Sequence, residues 1–379
     1  MHANTSVPFY LYDADVHGYD LGSVVAQMAA NASCRAILDL HQYAAPEYWF
    51  LRRLVSHPWR VAQPADARVL VLPLLLSLEA HGYCEAAHLL DSTRVMRRIR
   101  ATASWHTRQT EHVFVALDPA AVRTEPLRRV LRVRFDTQGG QPPITAGPLL
   151  EYPAKPFLYA SAPARNVTFF FGGQVSRYHE GYYMRWELVD QLRAHPARFN
   201  NSVLLLTTDS CSGSAGLSPI SQAPPGVTHG AYCGGRITAG KVYPRTEFAL
   251  ILGGDEPATR RETIALQFGA IPVYARDALW ASALPFQHFI PYHAFSATVR
   301  EEDAKRDLAG QLGAVAHQYG PATRAIMRLL MVYFRNDLMW KTNRSRAAEN
   351  VLRDADRVFH RSCQPPGAPG PLGTTFLMR

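Results

Sequence analysis

Long apolar runs are missing from this chain. The longest, Val69 to Leu78, is interrupted by Pro73 and is too short to cross a bilayer, so it predicts a buried strand. Met1 to Tyr10 lacks the basic start and apolar core of a signal peptide, and no targeting device or membrane anchor is visible. Cysteine is scarce: Cys34, Cys84, Cys211, Cys233 and Cys363 show neither CxxC nor Cys/His spacing, so no metal site is expected. A Lys-rich arm is lacking too. Basic residues occur as scattered pairs, such as Arg52 with Arg53 and Arg260 with Arg261, which gives no footprint for nucleic acid. Internal repeats and coiled-coil heptads are absent.

What is present suits a soluble enzyme of two domains: 379 residues with 47% hydrophobic content support sizeable cores. Forty Lys and Arg against 31 Asp and Glu leave a formal charge of +9, favouring phosphates or anionic polysaccharides as partners. Acceptor triplets for N-glycosylation begin at Asn4, Asn31, Asn166, Asn200 and Asn343 and point to a secretory lumen. Cys211 and Cys233 flank one loop, which they either close by a disulfide in an oxidising compartment or bracket as buried thiols.

The chain order predicts an α/β layered protein. Phe9 to Tyr12 reads as a strand ending at Asp13, Ala45 to Ser56 as a helix, and Val69 to Leu76 and His112 to Leu117 as strands covered on both faces. Residues 136–165, rich in Gly and Pro, read as an interdomain crossing with a boundary near Ala160. The plan restarts with strand Val167 to Phe171, helix Tyr182 to Ala194 and strand Val203 to Thr208. Asp209 to Gly240 reads as a mobile surface insertion. Helices are expected over Glu301 to Tyr319, Pro321 to Trp340 and Ser345 to His360, before a disordered tail over Pro365 to Gly373. This divides the chain into a first domain over 1–160, a second over 161–345 and a terminal helix and tail over 346–379.

The chemistry concentrates between Phe248 and Val273. Phe248 to Leu252 is a buried strand, Gly253 and Gly254 break it, Asp255 stands at a helix N-cap and Pro257 in the first turn. The helix ends at Gly269 and hands over to Ile271-Pro272-Val273, completing a βαβ unit. Two glycines admit a phosphate to the backbone, the helix start offers unpaired N–H groups, and Arg260 and Arg261 add charge-assisted donors, as a diphosphate requires. The spacing is neither GxGxxG nor the P-loop, which disfavours dinucleotide oxidoreductases and P-loop kinases.

Phe248-x-Leu250, Gly254-Asp255, Pro257, Arg261, Gly269-x-Ile271-Pro272-Val273, Leu284-Pro285-Phe286 and Phe295-Ser296 resemble the exostosin family of glycosyltransferases, family 47. Looser agreement comes from Tyr10-Leu11-Tyr12-Asp13, Ser56-x-Pro58-x-Arg60, Val71-x-Pro73 and Glu111-His112-Val113-Phe114, so the resemblance covers residues 7–340. It implies a GT-B architecture, two Rossmann-like domains facing each other across a cleft. It further implies inverting transfer from a nucleotide sugar, UDP-linked, to a polysaccharide or glycoprotein glycan, with no cofactor or bound metal. A Golgi or other secretory lumen and association with itself or a related transferase are also implied.

The resemblance adds Arg165 and Arg185, with Gly172 and Gly173, to the cradle of Gly253, Gly254, Asp255, Arg260, Arg261 and Glu262 at the donor diphosphate and nucleotide, which makes 161–345 the nucleotide-sugar-binding domain and 1–160 the acceptor-side domain. It also exposes a departure: Ile264 stands where the family has an acid that meets the ribose, and Glu262, two residues from it, points elsewhere on a helix. That departure keeps open a catalytically inactive exostosin-like partner or a glycan-binding protein. Inversion needs a base for the acceptor hydroxyl. Asp13, beyond a strand's carboxyl end, and His112, beside Glu111, are the candidates; Asp13 fits the geometry of α/β ligand sites better.

Overall fold

The computed structural model describes residues 6–13, 18, 20–40, 45–82, 84, 91–116, 127, 130–134, 144–145, 164–175, 182–209, 211, 217–234, 239–253, 260–275, 277, 284–341 and 344–360. Gly254, Asp255, Pro257, the side chain of Arg260, the boundary near Ala160, Cys363 and the terminal tail lie outside them.

The first half runs β1 (Phe9–Leu11), α1 (Leu21–Ala30), α2 (Ala32–Leu40), α3 (Ala45–Leu54), β2 (Val69–Val71), α4 (Leu76–His81), α5 (Ser92–Arg100), α6 (Ala103–Arg108), β3 (His112–Val115), β4 (Leu131–Arg134) and β5 (Ile144–Thr145). Its strands form one parallel sheet in the order β1-β2-β3-β4-β5. Apolar strands such as Val69-Leu70-Val71 are buried throughout, as a parallel sheet covered on both faces demands. The expected strand over Val69 to Leu76 stops at Val71. Pro73 has no N–H to give a ladder, and Leu76 already belongs to α4. The interdomain crossing expected over 136–165 contributes β5 to this sheet.

The second half runs β6 (Val167–Gly173), α7 (Tyr183–Ala194), β7 (Val203–Thr207), β8 (Ser218–Pro219), β9 (Gly230–Cys233), α8 (Ala239–Val242), β10 (Thr246–Ile251), α9 (Arg260–Phe268), β11 (Ile271–Tyr274), β12 (Ala297–Thr298), α10 (Glu301–Gln318), α11 (Pro321–Leu338) and α12 (Ala347–His360). The seven strands are parallel, in the order β12-β11-β10-β6-β7-β9-β8. The stretch Asp209 to Gly240, expected as a loop, therefore adds two strands to the edge. It is closed by a Cys211–Cys233 disulfide, and a second disulfide joins Cys34 to Cys84.

From β6 the chain winds outward through β7 in one direction, whereas from β10 it winds through β11 in the other. β6 and β10 are neighbours, paired Phe248 with Phe169 and Ala249 with Phe170, so the winding reverses between them. In open α/β sheets the crevice beyond the carboxyl ends of two such strands is where ligands bind. The first sheet shows no such reversal among its described strands. The two parallel α/β layers are the two halves that a GT-B chain contains.

The last helix returns to the first half. Glu349 of α12 meets Arg53 at 3.0 Å and His57 at 3.2 Å, and Asp356 meets Arg68 at 2.6 Å.

Candidate functional site

Both strands at the reversal lead toward glycine, β6 directly and β10 after Leu252. β6 closes on Gly172 and Gly173, and Gly253 follows β10 with φ +55°, a left-handed backbone that glycine adopts without a steric penalty. Two arginines converge on these glycines from different helices. Arg261, in the first turn of α9, donates from Nε to the carbonyl of Gly172 at 2.6 Å, and its guanidinium lies 4.9 Å from the Phe171 ring. Gly173 makes that approach possible, because a Cβ built there would fall inside the Arg261 guanidinium.

Arg185 of α7 is only 3% exposed. Its Nε donates to the carbonyl of Gly253 at 2.8 Å, its Nη2 donates to the same oxygen, and its Nη1 donates to the carbonyl of Gln174 at 2.9 Å. The Tyr182 ring lies 3.8 Å from its guanidinium carbon. Fixing the planar fork by carbonyl bonds and a ring face removes much of the rotamer freedom an arginine would otherwise lose on meeting a phosphate.

Asp209, beyond the end of β7, was not singled out by sequence as a site residue. Its Oδ2 accepts from the Val175 N–H at 2.7 Å and from the Thr207 hydroxyl at 2.9 Å, which pins the segment leaving Gly173. A polar residue just past an apolar strand, level with Gly172-Gly173, is the signal that marks it.

Other expected site residues lie elsewhere. Arg165 precedes β6 and so stands at the opposite end of that strand from Gly173. Its Nη1 donates to the Thr246 carbonyl and its Nη2 to the Phe268 carbonyl at 2.9 Å, tying β10 to the end of α9. The expectation that it reaches the diphosphate is corrected accordingly: it precedes a seven-residue strand whose last two residues are the glycines.

Glu262 faces inward rather than toward the glycines. It is 2% exposed, and burial pushes its carboxyl up to about 8, an effect that the nearby Tyr274 and Tyr292 hydroxyls only partly offset. Ile264 packs with Val167, Phe170 and Ala249 in the apolar layer beside the sheet.

His112 is enclosed at the start of β3 with no exposed surface. Its Nε2 lies 2.8 Å from the Tyr12 hydroxyl, and its Nδ1 lies 3.0 Å from the Arg108 carbonyl. Carbonyls only accept, so the Nδ1 side carries the proton and Nε2 accepts from Tyr12. Burial lowers its pKa to about 4. With both nitrogens engaged and no surface, it cannot reach an acceptor hydroxyl. Its neighbour Glu111 is bonded by Arg108 Nε at 2.7 Å.

Asp13 does stand beyond the carboxyl end of β1, with its side chain 21% exposed. One oxygen accepts from the Leu21 N–H at 2.8 Å and the other pairs with Arg60 at 2.8 Å. Two separate parts of the sequence pattern, Tyr10 to Asp13 and Ser56 to Arg60, thus meet in space. They line a depression of about 550 Å³. Among the described residues no His, Cys, Asp and Glu cluster is arranged to hold a metal.

Three solved structures are distantly similar. A chain of the GtfA/B complex aligns with TM-score 0.35 at 10% identity over 67% of this chain, which spans only 48% of that one. WaaG, a glycosyltransferase involved in lipopolysaccharide biosynthesis, aligns with TM-score 0.33 at 11% identity, covering 76% of this chain and 75% of that one. The glycotransferase of kitacinnamycin aligns with TM-score 0.32 at 14% identity, covering 92% and 91%. Likenesses this distant say nothing of substrate. Among curated proteins none matches. The model of the exostosin GT47 domain, by contrast, matches residues 13–312, which include Asp13, the glycine-terminated strands, Arg185 and Arg261. The chain belongs to the exostosin GT47 family of glycosyltransferases.

Proposed function

We propose that the crevice between β6 and β10 holds the diphosphate of a UDP-linked sugar and that the chain transfers the sugar, with inversion, to a glycan or glycoprotein acceptor. The observation that carries this reading is the convergence of Arg185 and Arg261 on Gly172, Gly173 and Gly253 at the point where strand winding reverses. In the reaction the acceptor hydroxyl gives its proton to a base and attacks the anomeric carbon. The bond from that carbon to the phosphate oxygen breaks, and the nucleoside diphosphate leaves as an anion stabilised by the two guanidiniums and glycine N–H groups. Asp13, at a strand's carboxyl end and partly exposed, is the group we assign as base.

Two disulfides fit an oxidising compartment, and exposed Asn166 and Asn200 head two of the glycosylation triplets, which together support a Golgi or other secretory lumen. The reading is tested by incubating the protein with a panel of UDP- and GDP-sugars, with and without oligosaccharide acceptors. Nucleotide release from one donor is expected, and neither release nor thermal stabilisation by any nucleotide would refute it. Ile264, packed where an acid would meet the ribose, favours a second reading as an inactive partner of a related transferase. Under it, Ile264→Glu creates donor binding that the parent lacks.

A further inference from the structure

Among the described residues, the large hydrophobic side chains left mostly in solvent lie on a single helix. Ile326, Leu329 and Tyr333 of α11 are 59%, 67% and 60% exposed. With exposed Ala322 they recur every three or four residues, which places them on one stripe about 17 Å long. Ala325 is exposed and Leu330 half-buried at its margins. The other face of α11 is spent on the core, where Met327, Met331, Phe334 and Leu338 are buried. The helix therefore has two apolar faces, and the folded chain covers one.

The arginines of this helix are kept off the stripe. At 3.6 residues per turn Arg324, Arg328 and Arg335 fall on the flank beyond the buried methionines. Arg328 pairs with Glu247 and its Nε donates to the Gly269 carbonyl at 3.3 Å, while Arg324 donates to the carbonyls of Tyr319 and Ala316 at 2.6 and 3.0 Å. These bonds fasten α11 to β10 and to the end of α9. The stripe itself carries no charged side chain. Two copies approaching there bring no like charges together, and the stripe offers no basic rim to lipid headgroups or to an acidic partner.

The order of side-chain sizes along the stripe is complementary to its own reverse. Two copies of α11 laid antiparallel, about a two-fold axis level with the gap between Met327 and Arg328, set Ile326 against Leu329, Ala322 against Tyr333 and Ala325 against Leu330. The bulkiest residue meets a small one, and the two branched aliphatics meet at the centre, so the stripes interdigitate without a clash or a void. The patch is on the order of 400 Å², a size at which an exposed apolar surface marks an interaction site. Two copies hide about 800 Å² between them, short of the roughly 1,200 Å² of a stable interface, so the association is reversible and concentration-dependent.

We propose that α11 is a homodimer interface in which the stripe of Ile326, Leu329 and Tyr333 packs antiparallel on that of a second copy. It contains none of the residues assigned to the donor or to the base. Association does not depend on donor use, and the two readings fail separately.

The test uses the full chain. Sedimentation from low to high micromolar concentration should show monomer giving way to dimer. Ile326→Lys and Leu329→Glu each place a charge at the centre of the pairing, and each should weaken association roughly tenfold or more. Both positions are mostly exposed in the monomer, so the melting temperature at low concentration should match the parent's in each variant. An equimolar mixture of the two variants should recover the dimer, because the antiparallel register sets the introduced ammonium against the introduced carboxylate and leaves Leu329 of one chain against Ile326 of the other. Monomer at every concentration, a dimer that both variants leave intact, or a mixture that recovers nothing would overturn the proposal. Binding of the parent to phosphatidylcholine vesicles in place of self-association would overturn it as well.

Discussion

Arg261 occupies the space that a side chain at position 173 would need: its guanidinium lies across Gly173 while its Nε bonds the Gly172 carbonyl. Gly173→Ala should therefore leave the buried strand β6 folded but push Arg261 off that carbonyl. Because the guanidinium is the far end of a flexible side chain, we expect a small change in melting temperature and a loss of nucleotide affinity of about tenfold. Calorimetric titration with UDP measures it. A variant that melts normally and binds UDP as the parent does would dissociate Arg261 from the diphosphate.

Arg185 makes a different prediction because it is buried. Replacing it by alanine removes the donors for the Gly253 and Gln174 carbonyls and the cation over Tyr182. The cost should be about 2–4 kcal/mol of stability in addition to lost activity. Arg185→Lys should recover little, since an ammonium cannot reproduce a planar fork shared between two carbonyls. Urea denaturation of the three proteins decides it; equal midpoints would mean that Arg185 does not organise the crevice.

Glu262 links α9 to pH. Its carboxyl is held near 8 in the folded chain by burial, above the ordinary carboxylate value, so the folded state keeps a proton that the unfolded state has released. The associated stability is fully present below the unfolded value of 4.5 and is lost as pH rises through about 8. Between these limits the decline should be on the order of 5 kcal/mol at most. Glu262→Gln, which is neutral at every pH, should flatten it. Melting curves from pH 5 to 9 that fall in parallel for both proteins would contradict this assignment.

The unit from β10 to β11 was legible in the sequence because its signals are local. An apolar run, a glycine after it and Gly269 at the helix end each act within a few residues, and Gly269 has the left-handed φ of +67° that a helix stop uses. The three long helices after Glu301 were legible for the same reason, from their period.

What escaped was non-local. β8 and β9 carry Ser218-Pro219 and Gly230-Ala231-Tyr232-Cys233, too short and too small to look like strands until β7 offers β9, and β9 in turn offers β8, a ladder. Cys34 and Cys84 are 50 residues apart, with nothing in the intervening pattern to pair them. The resemblance puts Arg165 at the diphosphate, but a strand has two ends, and only the side chain's carbonyl partners show which one it serves. Asp13 was legible as a strand-end carboxylate; its pairing with Arg60 depends on a chain segment that returns to the edge of β1.

If Arg261 holds a donor diphosphate, UDP titration of the parent, Arg261→Ala and Arg260→Ala gives micromolar binding by the parent, a loss of about tenfold or more in Arg261→Ala and a smaller loss in Arg260→Ala. Equal affinities in all three proteins would separate Arg261 from the diphosphate.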